Sequence, residues 1–384
     1  MALHEKVQFY HSLGFNQDEI LQYLSELNNV VISKRTLKRV LSSAHLYRRK
    51  HYSDLLEVAL FLEGKLETAD KLHGYKLMHL QCVQSGYTVT QETVRLLLQI
   101  IDPQGVQLRR RGRLRRRIYS NPGPDFMWHI DSYDKLKPYG ICINGCIDGF
   151  SRHIIWLEAY STNSDPAVIA SYFMSAVESR VGCPKRIRAD MGTENGHVEN
   201  MHKFLRYEDV DEFAQRCFLY GSSNHNQRIE AWWSYLRSHH AQFWISFFHE
   251  MKEEDQFCGN FLDKNLAQFC FMQLIQDELQ EVVHLWNTHR MRQSPHQVSP
   301  SGRPLTMYRL PHLYNAEHHL CQVSLEKIRV CKEECSFKGP CPCDRDIFEL
   351  CCLLMAENNL QPPVNSDTAK RLYNALRNNI LQSL

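Results

Sequence analysis

Three acidic residues, Asp131, Asp190 and Glu230, occur in local contexts that can bring their side chains to one place. Asp131 follows the apolar run 126–130, and Asp190 follows the run 185–189. Glu230 lies in a stretch with helical spacing. Carboxylate oxygens are the hard ligands that Mg²⁺ and Mn²⁺ prefer, with open positions left for water and phosphate. We interpret the three acids as one divalent-metal site for phosphoryl transfer, where two ions can activate the attacking oxygen and stabilise the leaving one.

Each acid also has an ordinary structural explanation. A strand aspartate can accept hydrogen bonds from turn amides, Asp190 can be a turn residue, and Glu230 can be a solvated charge early in a helix. The occurrence of all three together favours the metal site. We expect Asp131 to bridge two ions, with Asp190 on one and Glu230 on the other. Asp148 and Glu194 lie in turn-forming stretches and are predicted to be structural.

The changes of period around these acids predict an α/β domain. Three β-rich runs, a helix, a fourth strand, a helix, a fifth strand and a long helix follow at residues 126–131, 140–147, 153–160, 165–179, 185–189, 196–205, 217–220 and from 226. Antiparallel hairpins followed by alternating units predict a mixed five-stranded sheet with flanking helices. Asp131 then lies on the central strand, and Asp190 lies past a strand end, where α/β ligand sites form. Trp232 and Trp233 are both predicted to be core residues.

The N-terminal third predicts a region of short helices. Asn16 can cap one helix and Ser33 the next. The second helix carries four basic residues on its outward side: Lys34, Arg35, Lys38 and Arg39. This is the helix-turn-helix pattern, whose second helix enters the major groove of DNA; a helical bundle with a solvated basic face is the alternative. A helix over 68–84 and another capped by Thr90 predict a second, less basic unit.

An arginine-rich tract follows these helices. It consists of Arg109, Arg110, Arg111, Arg113, Arg115, Arg116 and Arg117. Such guanidinium groups repel one another and are relieved by phosphates, so we expect nucleic-acid contact; a solvated linker and a nuclear-import signal are alternatives. Residues 1–120 hold 19 Lys or Arg against 11 Asp or Glu, although the whole chain carries only +2. The front third is therefore the expected polyanion-facing part.

Composition sets limits on the class of protein. The 384 residues are 43% apolar and 23% charged, as in ordinary globular proteins. No apolar run is long enough to span a membrane, and the N-terminus lacks a signal peptide's apolar core, so we expect a soluble, intracellular protein. The 14 cysteines are expected to be mostly reduced thiols. The C-terminal cluster of Cys331, Cys335, Cys341, Cys343, Cys351 and Cys352 matches no common zinc spacing, so we predict no zinc site.

Four motifs together resemble a known family. They are Trp128–Leu136, Ile147–Arg152, Arg188–Asn195 and Ile229–Trp233. In these motifs the chain resembles the integrase catalytic core of the DDE superfamily, and within it the integrase-core proteins of eukaryotic transposons most. The resemblance covers roughly residues 120–310 and implies a ribonuclease H-like fold. It also implies Mg²⁺- or Mn²⁺-dependent cleavage and joining of DNA strands, with Asp131, Asp190 and Glu230 as catalytic metal ligands. The spacing of the last two acids is slightly longer than in retroviral integrases, and no retroviral zinc domain precedes the core.

These observations predict the organisation of the whole chain. Residues 1–107 form a helical DNA-binding region, 108–124 an arginine-rich linker, 125–310 the catalytic core with a helical extension, and 311–384 a cysteine-containing helical tail. The expected protein is a nuclear DNA integrase or transposase that acts as a homo-oligomer on element ends and target DNA, away from membranes. The alternative is a host-retained, transposon-derived DNA-binding protein without transposition activity. A ribonuclease H acting on hybrids is disfavoured by the DNA-binding helices.

Overall fold

The chain folds into two compact units. The computed structural model describes residues 2–108, 121–209, 213–221, 226–293 and 300–382. The first unit contains residues up to 108 with Ser238–Phe243 and Thr288–Arg290, and the second contains the described remainder. Within the described residues, none of the helices combines the length and apolar character that crossing a membrane would require.

The first unit is built from short capped helices. They are α1 (Leu3–Ser12), α2 (Gln17–Asn28), α3 (Lys34–Ser43), α4 (Leu55–Leu66), α5 (Tyr75–Gln84), α6 (Gln91–Ile101) and α7 (Pro103–Leu108). Asn16 caps α2 by accepting hydrogen bonds from the amides of Asp18 and Glu19. Ser33 caps α3 and Thr90 caps α6 in the same way. The predicted starts of these three helices are therefore confirmed.

The prediction of one helix over 68–84 was wrong. The chain forms a short 3₁₀ turn at Ala69–Leu72 and then starts α5 after Gly74. The side chain of Asp70 explains the interruption, because it is buried and accepts a hydrogen bond from Gln81 at 2.8 Å. Helices α1 and α4 were not predicted. Helix α6 ends at Ile101, immediately before Asp102 and Pro103, and the separate short helix α7 begins at Pro103.

The second unit is organised around a mixed five-stranded sheet. The seven strands among its described residues are β1 (Met127–Tyr133), β2 (Cys142–Asp148), β3 (Ile154–Tyr160), β4 (Gly182–Cys183), β5 (Arg186–Ala189), β6 (Phe218–Tyr220) and β7 (Cys321–Gln322). The large sheet has the order β3-β2-β1-β5-β6, so β1 is central as predicted. Strand β1 is antiparallel to β2 and parallel to β5. The predicted mixed five-stranded sheet, and the predicted order of its strands along the chain, are confirmed.

Nine α-helices follow β3 among the described residues. They are α8 (Pro166–Arg180), α9 (Gly196–Leu205), α10 (Gln227–Leu236), α11 (Gln242–Glu253), α12 (Phe261–Thr288), α13 (Pro304–Arg309), α14 (Leu325–Glu333), α15 (Arg345–Glu357) and α16 (Ser366–Gln382). Asp165 caps α8 as predicted. Helix α8 supplies Phe173 and Val177 to a core that also contains Trp128 and Ile187 from the sheet. This core fixes the strands that carry the first two candidate acids.

The edge strand β3 is covered by the long helix α12. The side chain of Gln276 accepts from the amide of Ala159 at 2.7 Å, and that of Asn287 accepts from the amide of Ile154 at 2.9 Å. An uncovered edge strand would present unpaired amides for aggregation. These two side chains of α12 therefore supply hydrogen-bond acceptors for two backbone amides of β3.

The C-terminal tail is part of the second unit. Val323, Ile328 and Cys331 belong to the same core as the sheet, and β7 pairs with β4. Before that tail, residues 304–309 form the short helix α13. None of the 14 cysteines is part of a disulfide.

Candidate metal centre

The three candidate acids sit on three neighbouring elements of the second unit. Asp131 lies on β1, Asp190 follows the last residue of β5, and Glu230 is in the first turn of α10. Strands β1 and β5 are parallel neighbours, so Asp131 and Asp190 lie toward the same edge of the sheet. All three side chains are partly buried. They are sheltered from bulk water but remain accessible to a ligand.

The charges of the three carboxylates influence one another. Burial raises the pKa of Asp131 from its usual 3.8 to about 7, against the lowering effect of hydrogen bonds from the Trp233 indole and the Ser132 backbone. The negative charges of Asp190 and Glu230 raise that pKa further. Burial and then the charge of Asp190 also raise the pKa of Glu230. The three carboxylates are therefore close enough to interact electrostatically.

The donor set suits a hard divalent cation. Three mutually repelling carboxylates hold the negative charge that such an ion would neutralise, and oxygen is the ligand atom that Mg²⁺ prefers. In the part of the chain that the structure describes, however, no three His, Cys, Asp or Glu side chains stand in an arrangement that could hold a metal ion. The three acids are therefore close enough to interact electrostatically, but their side chains are not arranged as a complete set of metal ligands.

One carboxylate oxygen of Asp131 is held by a tryptophan. The Nε1 of Trp233, on α10, donates to Oδ2 of Asp131 at 2.8 Å. The Trp233 ring lies over Gly145, the residue opposite Asp131 in the β1–β2 register. A Cβ at position 145 would lie 2.8 Å from Cη2 of Trp233, so only glycine leaves room for the ring. Hydrogen bonds of this kind orient carboxylate ligands in metal sites.

Asp190 is held by a neighbouring asparagine. The buried Asn195 donates through Nδ2 to Oδ1 of Asp190 and to Oε1 of Glu194, each at 3.1 Å. Burial and then the charge of Asp190 are among the causes that raise the pKa of Glu194. Asn195 immediately precedes α9, so the start of that helix positions the Asp190 side chain.

Helix α10 is fastened to the sheet at its beginning. Asn226 and His129 share a hydrogen bond of 2.6 Å between Oδ1 and Nδ1, and Nδ2 of Asn226 donates to the carbonyl of Ile130 at 3.0 Å. Nε of Arg228 donates to the carbonyl of Gly149 at 3.1 Å. Complete burial lowers the pKa of His129 to about 3, so its ring is neutral. These bonds fix the element that carries Glu230.

Comparison with known protein families shows which family the chain belongs to. The family profile described as Integrase core domain matches residues 118–313, just over half of the chain. The chain belongs to the integrase core domain family. A search of curated proteins gave no match. The mixed sheet with its flanking helices is consistent with the ribonuclease H-like fold of an integrase core. Membership of this family implies polynucleotidyl-transferase chemistry and a DNA substrate.

Two further buried acids of the integrase core have structural roles. Asp148, predicted to be structural, accepts hydrogen bonds from the backbone amides of Asp125, Phe150 and Ser151 and from the Ser151 hydroxyl. Asp125 accepts from Nε1 of Trp128 at 2.9 Å. Burial and the neighbouring Asp125 raise the pKa of Asp148 to about 7. Asp148 therefore organises the turn between β2 and β3.

The two tryptophans on α10 are both core residues, as predicted. Trp232 is 1% exposed and Trp233 is 6% exposed. Trp232 packs edge-to-face against Trp286, with ring centroids 4.6 Å apart. The bond from Trp233 to Asp131 was not predicted, because it joins residues 102 positions apart in the sequence. The presence of glycine opposite an acid on a central strand is the one sequence signal that could have indicated it.

The predicted DNA-binding residues fall into two groups. Lys34, Arg35, Lys38 and Arg39 are exposed on α3, as the helical pattern predicts. Nζ of Lys34 forms an ion pair with Asp18 at 2.7 Å on the surface, a contact that contributes little to stability. The arginines of the 109–117 tract lie outside the described residues, so their contact with nucleic acid stays a prediction.

Proposed function

We propose that this protein is a DNA integrase or transposase that cleaves and joins DNA strands with Mg²⁺ or Mn²⁺. The observation that carries the proposal is the placement of Asp131, Asp190 and Glu230 on three adjacent elements of an integrase core, where the charge of Asp190 raises the pKa values of both Asp131 and Glu230. The repulsion within such a group of carboxylates is relieved either by protonation of one carboxyl or by a bound cation, and a hard divalent ion would supply the second route.

The three acids would hold the metal, and the residues around them would hold the acids. Asp131 is oriented by Trp233, and Asp190 is oriented by Asn195. When bound, the metal would activate the attacking oxygen and stabilise the leaving oxygen of an in-line displacement. The pKa of Asp131, near 7 without metal, means that this carboxyl must lose a proton to become a ligand.

The proposed reaction has two steps of the same type. First, a water oxygen attacks phosphorus at the element end and the bond to the 3′ oxygen breaks, which leaves a free 3′-hydroxyl. Second, that hydroxyl attacks a phosphodiester of target DNA and expels a second 3′ oxygen. No oxidant or energy-rich cofactor is required, because each step exchanges one phosphodiester oxygen for another.

DNA positioning is proposed for the basic surfaces ahead of the core. Helix α3 exposes four cations, which we propose contact DNA in the major groove. The arginine-rich tract adds sequence-independent phosphate contact and would also serve as a nuclear-import signal, so we place the protein in the nucleus. Action on two DNA segments is best served by more than one copy, and we propose a homo-oligomer derived from a eukaryotic transposon.

Strand transfer by the purified protein tests the proposal. The substrate is labelled duplex DNA that bears candidate element ends, incubated with Mg²⁺ or Mn²⁺ and unlabelled target. Wild type is expected to give cleaved and joined products, and Asp190→Asn is expected to give neither. Glu199→Gln is the matched control, since Glu199 forms surface contacts with Lys203 and Tyr220. DNA binding without cleavage by wild type would refute the proposal and favour a host-retained DNA-binding protein.

A further inference from the structure

The side chain of Asn226 does not cap helix α10. It occupies the position immediately before α10, where asparagine usually accepts hydrogen bonds from amides in the first turn. No such capping bond is present. The side chain instead reaches strand β1, where it bonds to His129 and Ile130. Both strand residues directly precede Asp131 in the sequence.

The donors and acceptors in this contact determine the orientation of the Asn226 amide and the ring nitrogen of His129 that carries a proton. A carbonyl can only accept, so the Asn226 amide must direct Nδ2 toward Ile130 and Oδ1 toward His129. His129 must then donate through Nδ1. Asn226 and His129 are 1% and 0% exposed, so water does not compete for these bonds. The pairing is specific because either partner alone would leave a buried polar group unsatisfied.

Glu230 is linked to this anchor through one turn of helix. The amide of Glu230 donates to the carbonyl of Asn226 at 3.2 Å. Asn226, Glu230 and Trp233 follow at spacings of four and three residues, which places them on one face of α10. The two ends of that face bond to β1, through Asn226 at its start and through the Trp233–Asp131 bond. Glu230 lies between the two anchors, on the face of α10 that is bonded to β1.

We propose that Asn226 is a positioning residue of the metal site, which docks α10 on β1 and so holds Glu230 beside Asp131. The inference rests on the proposed function for its consequence, since the positioned carboxylate is one of the three proposed ligands. Its geometry stands independently on the bonds from Asn226 to the strand. Loss of the anchor should weaken metal binding by about 10- to 100-fold, as for other residues that orient metal ligands.

The decisive variant is Asn226→Ser. Serine is as good a helix cap as asparagine but is too short to make both strand bonds. A residue that merely capped α10 would be replaced without loss, whereas an anchor would not. Asn287→Ala is the matched control, because Asn287 also joins a helix to a strand through two side-chain bonds, at 2.9 and 3.2 Å to Ile154. Those bonds lie on β3, away from the three acids.

Two measurements on the full chain judge these variants. Mn²⁺ titration should show at least about tenfold weaker binding in Asn226→Ser and near wild-type binding in Asn287→Ala. Hydrogen exchange without metal should be faster across α10 in Asn226→Ser only. Unchanged exchange in α10, or wild-type Mn²⁺ affinity in Asn226→Ser, would overturn the proposal. If wild type binds no Mn²⁺, the proposed function fails, and the exchange result alone decides the anchor.

A measurement on the wild type covers the case in which Asn226→Ser does not fold. ¹⁵N NMR of histidine-labelled protein reports which ring nitrogen of His129 carries the proton. The arrangement requires a proton on Nδ1. A ring protonated at Nε2 alone would contradict the anchor, since Nδ1 could then not donate to Asn226.

Discussion

Asp131→Asn should be more stable than wild type when no metal is present. With metal bound, it should be less stable than wild type. The folded-state pKa of Asp131, about 7, lies above its usual 3.8. The stability associated with the protonated carboxyl is therefore fully present below about pH 4 and is lost as the pH rises through about 7. The side chain introduced by Asp131→Asn carries no charge at any pH, so the variant escapes this loss.

The magnitude follows from the displacement of that pKa. A change from 3.8 to about 7 corresponds to about 4 kcal/mol of unfolding free energy at high pH. The carboxyl is only part-buried, and solvent screening reduces this to about 2 kcal/mol. Mn²⁺ at about 100 times its dissociation constant should return about 2.7 kcal/mol to wild type and much less to the variant.

Urea unfolding at about pH 4 and about pH 8, with chelator or with Mn²⁺, measures these differences. The control is Asp165→Asn, since Asp165 caps α8 and asparagine caps equally well. The control should behave as wild type in all four conditions. The reasoning is refuted if Asp131→Asn is no more stable than wild type at the higher pH with chelator, or if Mn²⁺ stabilises both proteins equally.

Three other substitutions have defined outcomes. Gly145→Ala should lower the free energy of unfolding measured in urea by about 1–3 kcal/mol, because the added Cβ overlaps the Trp233 ring. Gly196→Ala is the control, since there is open space around Gly196, and it should not destabilise the protein. Equal losses of stability in the two variants would contradict this reasoning. Trp233→Phe keeps an aromatic side chain but removes the Nε1 donor to Asp131, so Mn²⁺ binding should weaken about tenfold and strand-transfer activity should fall in parallel. Unchanged affinity would refute the role of the indole N–H. Asp148→Ala leaves three backbone amides without their acceptor and should lower the unfolding free energy by more than about 3 kcal/mol, and a loss below about 1 kcal/mol would count against the role in the turn.

Local patterns were sufficient to predict most elements of the integrase core. The strand and helix order around Asp131, Asp190 and Glu230 follows from hydrophobic period and turn residues, and the helix starts at Asn16 and Ser33 follow from capping chemistry. These signals act over a few residues. They are therefore visible in a single sequence.

The connections that hold the candidate site were not predictable in the same way. Asn226 reads as an ordinary helix cap, and its bond to Ile130 depends on packing across 96 positions of the sequence. Gly145 reads as a weak strand residue until Trp233 is seen over it. The error at 68–84 has the same origin, because a buried Asp70 overrides helical periodicity. Tertiary contacts decide such positions.

The location of bound Mn²⁺ tests the central claim most directly. Crystals of the protein soaked in Mn²⁺ would show the ion by its anomalous scattering. The account predicts a peak about 2.1 Å from carboxylate oxygens of Asp131 and Asp190, and no peak at that place in Asp190→Asn. An ion bound elsewhere, or an unchanged peak in the variant, would contradict the assignment of these acids as the metal ligands.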